Sequence, residues 1–242
     1  MLRIFLVSDL GESQMNIFIT GVSAGLGKSL MDEYLNAGHT VFGISRSPVN
    51  QCAHVSCDLE HLEEIPGKLK KLLEHCPEID VAILNAGILG DIKIFKDWTS
   101  IELAKIMNIN VWSNKVIIDW LLANKMVKQV VSISSGASEY TYKGWSGYSL
   151  SKSALKMMME VYSKEQEGVH FMSVAPGLVN TSMQDYLCNK VDRIEFPVID
   201  KFINARKNGL ALSSEIASQK LIELIPQLIH FENGSFVDMR KI

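Results

Sequence analysis

The feature that most restricts how this chain can fold is an alternation of short apolar runs with helix-period segments, entered through a glycine-rich turn. Asn16 to Thr20 (NIFIT) is apolar and stops at Gly21, as a strand buried on both faces does. Leu26 to Asn36 follows with Leu26, Leu30, Tyr34 and Leu35 at helical spacing, and Gly38 closes it. The pattern repeats. Further strands are predicted at Thr40 to Ser45, near Ala53 to Ser56, and at Val81 to Leu84, Val130 to Ser134 and His170 to Val174. Helices are predicted over about Glu60 to His75, Ile101 to Lys125, Tyr148 to Glu165 and Ser214 to Leu224. Strands separated by helices of that length cannot form hairpins; they need crossover connections and a mainly parallel sheet covered on both faces. The expected class is α/β, in one domain.

Composition narrows the function classes. The chain has 242 residues, 47% apolar and 21% charged, with 24 Lys+Arg against 27 Asp+Glu and a formal net charge of −3. No basic excess argues for nucleic acid or an anionic membrane surface, and no apolar run approaches the roughly 20 residues that span a bilayer. Cys52, Cys57, Cys76 and Cys188 form no CxxC pair, so neither a metal site nor a disulfide framework is expected, and a reducing, cytoplasmic setting is the simplest reading. The start MLRIFLVSDLGESQ is too short in apolar residues for a signal peptide. Residues 1–14 read as an extension ahead of a domain at 15–242, with Met15 an alternative start. Thr181 to Leu212 is longer than an ordinary connection and stands where a substrate lid would.

The first strand runs into Thr20-Gly21-Val22-Ser23-Ala24-Gly25-Leu26-Gly27 and then a helix. Glycines there let the backbone approach a pyrophosphate, whose charge the helix N-terminus stabilises. Gly27-Lys28-Ser29 also resembles the end of a P-loop, but five residues, not four, separate Gly21 from Gly27. At the end of the second strand an acid would hold a ribose hydroxyl and an Arg a 2′-phosphate. Thr40 to Gln51 contains no acid and offers Ser45-Arg46-Ser47, so Arg46 favours NADP(H) over NAD.

The densest chemical signal is Tyr148-Ser149-Leu150-Ser151-Lys152. Tyr and Lys at i and i+4 share a helix face, so the ammonium can sit near the phenol. A free phenol has a pKa near 10, and a fixed neighbouring cation is expected to lower it toward working range. Ser135, thirteen residues upstream at the end of VVSIS, can point its hydroxyl at the same carbonyl oxygen.

With those motifs in order, the chain from Met15 onward resembles the short-chain dehydrogenase/reductase family. The resemblance rests on TGVSAGLG at Thr20 to Gly27, Asn85-Ala86-Gly87, Asn110 in INV, Ser135, YSLSK, and Pro176-Gly177 with Thr181. It implies a Rossmann-type doubly wound sheet in three αβα layers and an NADP(H)-dependent enzyme acting on carbonyl or alcohol groups. It implies Tyr148 as general acid, Lys152 on the nicotinamide ribose, Ser135 polarising the carbonyl and Asn110 holding a relay water. Gly21, Ser23, Gly25, Leu26, Gly27, Arg46, Asn85, Ala86, Gly87, Pro176 and Gly177 would line the cofactor, Asp58 would meet the adenine, and Val179 and Thr181 the carboxamide. Asn85 could equally serve a strand-end turn, and Asp58 could cap a helix starting at Leu59.

The C-terminal third is similar to the branch holding sepiapterin reductase and the bacterial benzil reductases, through Pro176 to Gln184, Ala217 to Leu221 and Phe231 to Asp238. That implies a small-molecule ketone or diketone substrate, with Asp238 as an anchor. Trp145, Met183 and Tyr186 are candidate pocket residues, or else lid packing. Met157-Met158-Met159 reads as core and interface packing, and the family's habit implies a homodimer or homotetramer. Two other readings stand beside this one: a 3-oxoacyl thioester or sugar-alcohol dehydrogenase, and a non-catalytic NADP(H) sensor, which would ordinarily lack the Tyr or Lys retained here.

Overall fold

A computed structural model describes residues 14–242. The proposed extension over 1–14 lies, but for Gln14, outside them. Seven strands form one sheet: β1 Asn16–Thr20, β2 Thr40–Ser45, β3 Ala53–Ser56, β4 Glu78–Leu84, β5 Met126–Ile133, β6 His170–Ala175 and β7 Phe236–Asp238. Their order is β3-β2-β1-β4-β5-β6-β7 and every pairing is parallel. The chain turns back between β1 and β4, so the carboxyl ends of those strands open a crevice where ligands of such sheets bind.

Period-two alternation divides the core. Ile17, Ile19, Ile83, Val131, Met172 and Val174 face one side, against helices α1 (Gly25–Asn36) and α8 (Ser214–Leu224). Phe18, Ala82, Leu84, Val130 and Phe171 face the other, against α2 (Ile65–Leu72), α4 (Ser113–Asn124) and α5 (Ser146–Glu165). Both faces are therefore dry, as the crossover connections require.

The stretch predicted as one helix over Ile101 to Lys125 is interrupted. Helix α3 (Ser100–Met107) gives way to a π-helical turn, Asn108–Trp112, before α4 resumes. The predicted helix over Glu60 to His75 is a 3-10 turn, Leu62–Glu64, followed by the two turns of α2. The segment after β6 holds two helices, α6 (Ser182–Lys190) and α7 (Ile199–Lys207). Its ends are joined: Asn180 N–H donates to Leu212 O at 2.8 Å and Leu212 N–H to Leu178 O at 2.9 Å. The segment is thus a flap tied at its base. Among the described residues, no helix is long and apolar enough to cross a membrane.

Candidate active site

The glycine loop is shaped by what it leaves out. Gly21 has φ +80°, a left-handed conformation that side chains rarely adopt, and its N–H donates to Ile44 O at 2.7 Å. A Cβ on Gly27 would lie 2.2 Å from Gly21 O and 2.4 Å from Asn85 Nδ2, so α1 packs directly on the loop. Ala24, the residue before α1, has no side-chain capping bond. The first helical N–H groups are left to face the crevice.

Thr20, fully buried at the end of β1, ties the loop to β4. Its hydroxyl accepts from Asn85 N and Ala86 N, both at 2.9 Å, and its carbonyl accepts from Asn85 Nδ2 at 3.0 Å. Asn85 therefore serves the strand-end turn while still bordering the cavity. Asp58 accepts from Glu60 N at 3.0 Å and so closes a tight turn; the predicted cap on a helix at Leu59 is replaced because helix begins only with Leu62.

These loops surround a cavity of about 400 Å³. On its wall lie Gly21, Ser23, Gly25, Leu26, Arg46 and Asp58, then Asn85, Ala86 and Gly87, and also Ser135, Tyr148, Lys152, Pro176, Gly177, Val179 and Thr181. Trp145 and Met183 also line it. Gly27 lies behind the loop and acts through packing. The residues fit a nicotinamide dinucleotide, since a cradle that a Cβ would fill and the uncapped start of α1 border the cleft.

Tyr148 and Lys152, one turn apart on α5, are both buried. Lys152 Nζ donates to Ile133 O at 2.8 Å and lies 5.8 Å from the Tyr148 ring centre. Burial pushes the ammonium down to about 8. The expected lowering of the phenol by Lys152 is not what this geometry yields. Burial dominates and pushes Tyr148 up to about 12, with the Ser135 side chain the influence that opposes it. Ser135 itself is held by Ala137 N–H, which donates to its Oγ at 3.1 Å.

Asn110 sits in the π-helical turn and is fully buried. Its Oδ1 accepts from Ile88 N at 2.8 Å, and its Nδ2 donates to Ile88 O at 2.8 Å and Ser151 Oγ at 2.9 Å. Its carbonyl accepts from Asn114 Nδ2. Both amide hydrogens are engaged by protein, so the side chain ties the loop after β4 to α5. Widened π turns often carry such locally shifted functional groups.

Two expected substrate residues are not brought to the cavity. Tyr186 points outward from α6, 36% exposed. Asp238 is bound face to face by Arg240, which donates Nε to Oδ1 at 2.9 Å and a terminal nitrogen to Oδ2 at 2.6 Å, and the pairing holds the carboxyl below its ordinary range. The Arg240 stem lies across Gly177, where a Cβ would meet Cδ at 3.1 Å. In their place the wall is completed by Gln184, Leu187 and Phe202. Phe202 stacks on Trp145 with centres 5.1 Å apart and planes at 16°. A seat facing Trp145 was the available signal, but the sequence does not say which lid ring takes it.

A parallel doubly wound sheet with a cleft at the carboxyl ends of its strands is a nucleotide-binding architecture, and comparison with known proteins makes the assignment specific. The family model for short chain dehydrogenase matches residues 15–192. The chain belongs to that family, whose members use a nicotinamide cofactor and act on carbonyl or alcohol groups. It is 29% identical over 240 residues to a benzil reductase ((S)-benzoin forming) of Bacillus subtilis, covering 92% of this chain and 97% of that one. It is 26% identical over 249 residues to a sepiapterin reductase of Xenopus laevis, covering 91% and 93%. Among solved structures, a short-chain dehydrogenase/reductase from Saccharomyces cerevisiae superposes with a TM-score of 0.82 at 23% identity, over 93% of this chain and 96% of that one.

Proposed function

We propose that the protein is an NADPH-dependent carbonyl reductase that reduces a ketone or diketone, with Tyr148 as the general acid. The observation that carries this reading is the buried Tyr148, with Ser135 and Lys152 beside it on one wall of the cleft that the glycine loop opens. Gly21, Ser23, Gly25 and Leu26 would hold the cofactor's pyrophosphate and Arg46 its 2′-phosphate, while Asp58 would meet the adenine. Asn85, Ala86, Gly87, Pro176, Gly177, Val179 and Thr181 would border the nicotinamide half. NADPH supplies the hydride when bound.

The residues handle the proton. A phenol pushed up to about 12 stays protonated at neutral pH, the form needed to donate to an oxygen gaining negative charge. Ser135 would hold that oxygen. Lys152, still protonated below about 8, would stabilise the phenolate left behind and meet the ribose. Asn110 positions the catalytic helix through Ser151. The exposed stripe Leu150, Met157 and Val161 on α5 supports assembly into a homodimer or homotetramer through that helix.

Tyr148→Phe is expected to lower kcat by about a thousandfold or more, within the range for loss of a general acid, with the NADPH Kd within twofold of wild type. Retained turnover on a panel of diketones, pterins, aldehydes and 3-oxoacyl thioesters would overturn the acid assignment. Arg46→Ala is expected to weaken NADPH about 10- to 100-fold and NADH little, the scale of a lost charged hydrogen bond. Equal losses would overturn the preference.

A further inference from the structure

Two stretches carry the same helix-start pattern, Thr99-x-x-Glu102 before α3 and Thr181-x-x-Gln184 before α6. In such a pair the Thr hydroxyl and the longer side chain ordinarily satisfy each other's backbone N–H groups. The first pair does so: Glu102 N–H donates to Thr99 Oγ1 at 3.3 Å and Thr99 N–H to Glu102 Oε2 at 2.9 Å. The second does not. Thr181 occupies the capping position without a side-chain bond, and its methyl instead stands 3.4 Å from where a Cβ on Gly25 would be.

Gln184 is thereby released from its usual task. It is 5% exposed and lies on the cavity wall, yet its amide nitrogen has no hydrogen-bond partner among the described residues. Trp145, 6% exposed and lining the same cavity, has its buried indole N–H in the same condition. Its ring lies edge-on to Tyr148 with centres 6.0 Å apart. Leu187 and Phe202 make the surroundings apolar, so neither donor finds an acceptor in the wall itself. Buried donors are normally paired, and an unpaired one bears its full desolvation cost.

We propose that Gln184, together with Trp145 of the same cavity lining, determines substrate specificity by donating hydrogen bonds to a second acceptor oxygen on the substrate, so that the site takes vicinal dicarbonyls over plain ketones of the same shape. This rests on the carbonyl-reductase reading. A site built to hydrogen-bond a particular group discriminates strongly against the analogue lacking it, because its donors are then left unpaired.

The test uses the full chain with NADPH and two substrates with identical rings, benzil and deoxybenzoin, which differ in the second carbonyl. Gln184→Met, which keeps length and removes both amide hydrogens, is expected to lower kcat/KM for benzil by about 10- to 100-fold and for deoxybenzoin by less than about threefold. The NADPH Kd, followed by fluorescence titration, should stay within about twofold. Trp145→Phe keeps a ring and removes the N–H, and carries the same direction of change if Gln184→Met does not fold. Equal losses on both substrates, or a loss that follows the NADPH Kd, would overturn the proposal by assigning Gln184 to the fold or the cofactor. Wild-type protein that binds NADPH and reduces neither substrate would overturn the carbonyl-reductase reading along with it.

Discussion

The two ends of the cleft are built by opposite means. At the dinucleotide end, strand ends and backbone do most of the shaping: Gly27 packs on the Gly21 carbonyl, Thr20 and Asn85 exchange side-chain-to-backbone hydrogen bonds, and the decisive atoms are those a further side chain would have intruded upon. At the substrate end, side chains do it. The flap carrying α6 and α7 is pinned at Leu178–Asn180 and Leu212, and packs on the body through rings such as Phe202 on Trp145. In the proposed reading one end would recognise a fixed cofactor, and its packing leaves almost no room for a change of volume. The other can alter its ligand by exchanging residues on a tethered flap, which is how functional loops on a rigid scaffold diversify.

Three substitutions would break or sharpen that contrast. The largest effect is expected from Gly27→Ala, whose new methyl would press on the backbone oxygen of Gly21 at 2.2 Å. Overpacking of this kind costs about 1–3 kcal/mol or more, so the melting temperature should fall by several degrees and NADPH affinity by about a hundredfold or more. A melt and a titration matching wild type would show that the glycine end is less rigid than its contacts imply. Phe202→Ala removes a stacked ring from the other end. Substrate KM is expected to rise about tenfold, in line with roughly 1 kcal/mol for an aromatic pair plus lost burial, while the NADPH Kd holds within twofold. A comparable loss of NADPH would merge the two ends into one unit.

The smallest effect concerns Lys152, which stands where the ends meet. Its folded pKa, about 8, lies below the unfolded value of roughly 10.4. The unfolded chain therefore binds more protons between those values, and the buried charge costs stability most below pH 8, the cost fading as pH rises toward 10.4. Lys152→Met should melt a few degrees higher than wild type at pH 7, with the advantage shrinking above pH 8. An unchanged or lowered melting temperature at pH 7 would mean that the bond to Ile133 O outweighs desolvation. Tyr148 acts in the opposite sense: raised to about 12, it withdraws stability as pH climbs from 10 toward 12.

How much was legible depends on how local the cause is. The glycine loop, the parallel sheet implied by crossovers, Ser135, and the Tyr148/Lys152 pair all follow from short-range spacing, and the structure sets the loop, Ser135 and the pair around one cleft. The π-helical turn at Asn108–Trp112 left no mark in the apolar period, because widening one turn shifts the pattern by a single residue. Helices α6 and α7 escaped notice because each buries little: Gln184 and Leu187 in one, Ile199 in the other. A helix with so few inward residues shows almost no periodicity. Tyr186 and Asp238 were misplaced for a related reason. One faces out where the neighbouring Leu187 faces in, and the other is held by an arginine two residues further on.

By itself the sequence determined the family and the parallel α/β class and singled out the Tyr148/Lys152 pair, because glycine turns, strand period and an i, i+4 pair are properties of the local chain. The tertiary structure alone decided which lid side chains reach the cavity, that Thr181 packs on Gly25 and leaves Gln184 uncapped, and that burial raises Tyr148. Those outcomes come from contacts between segments far apart in the chain, and from the dryness they create, and neither is written in the spacing of residues along it.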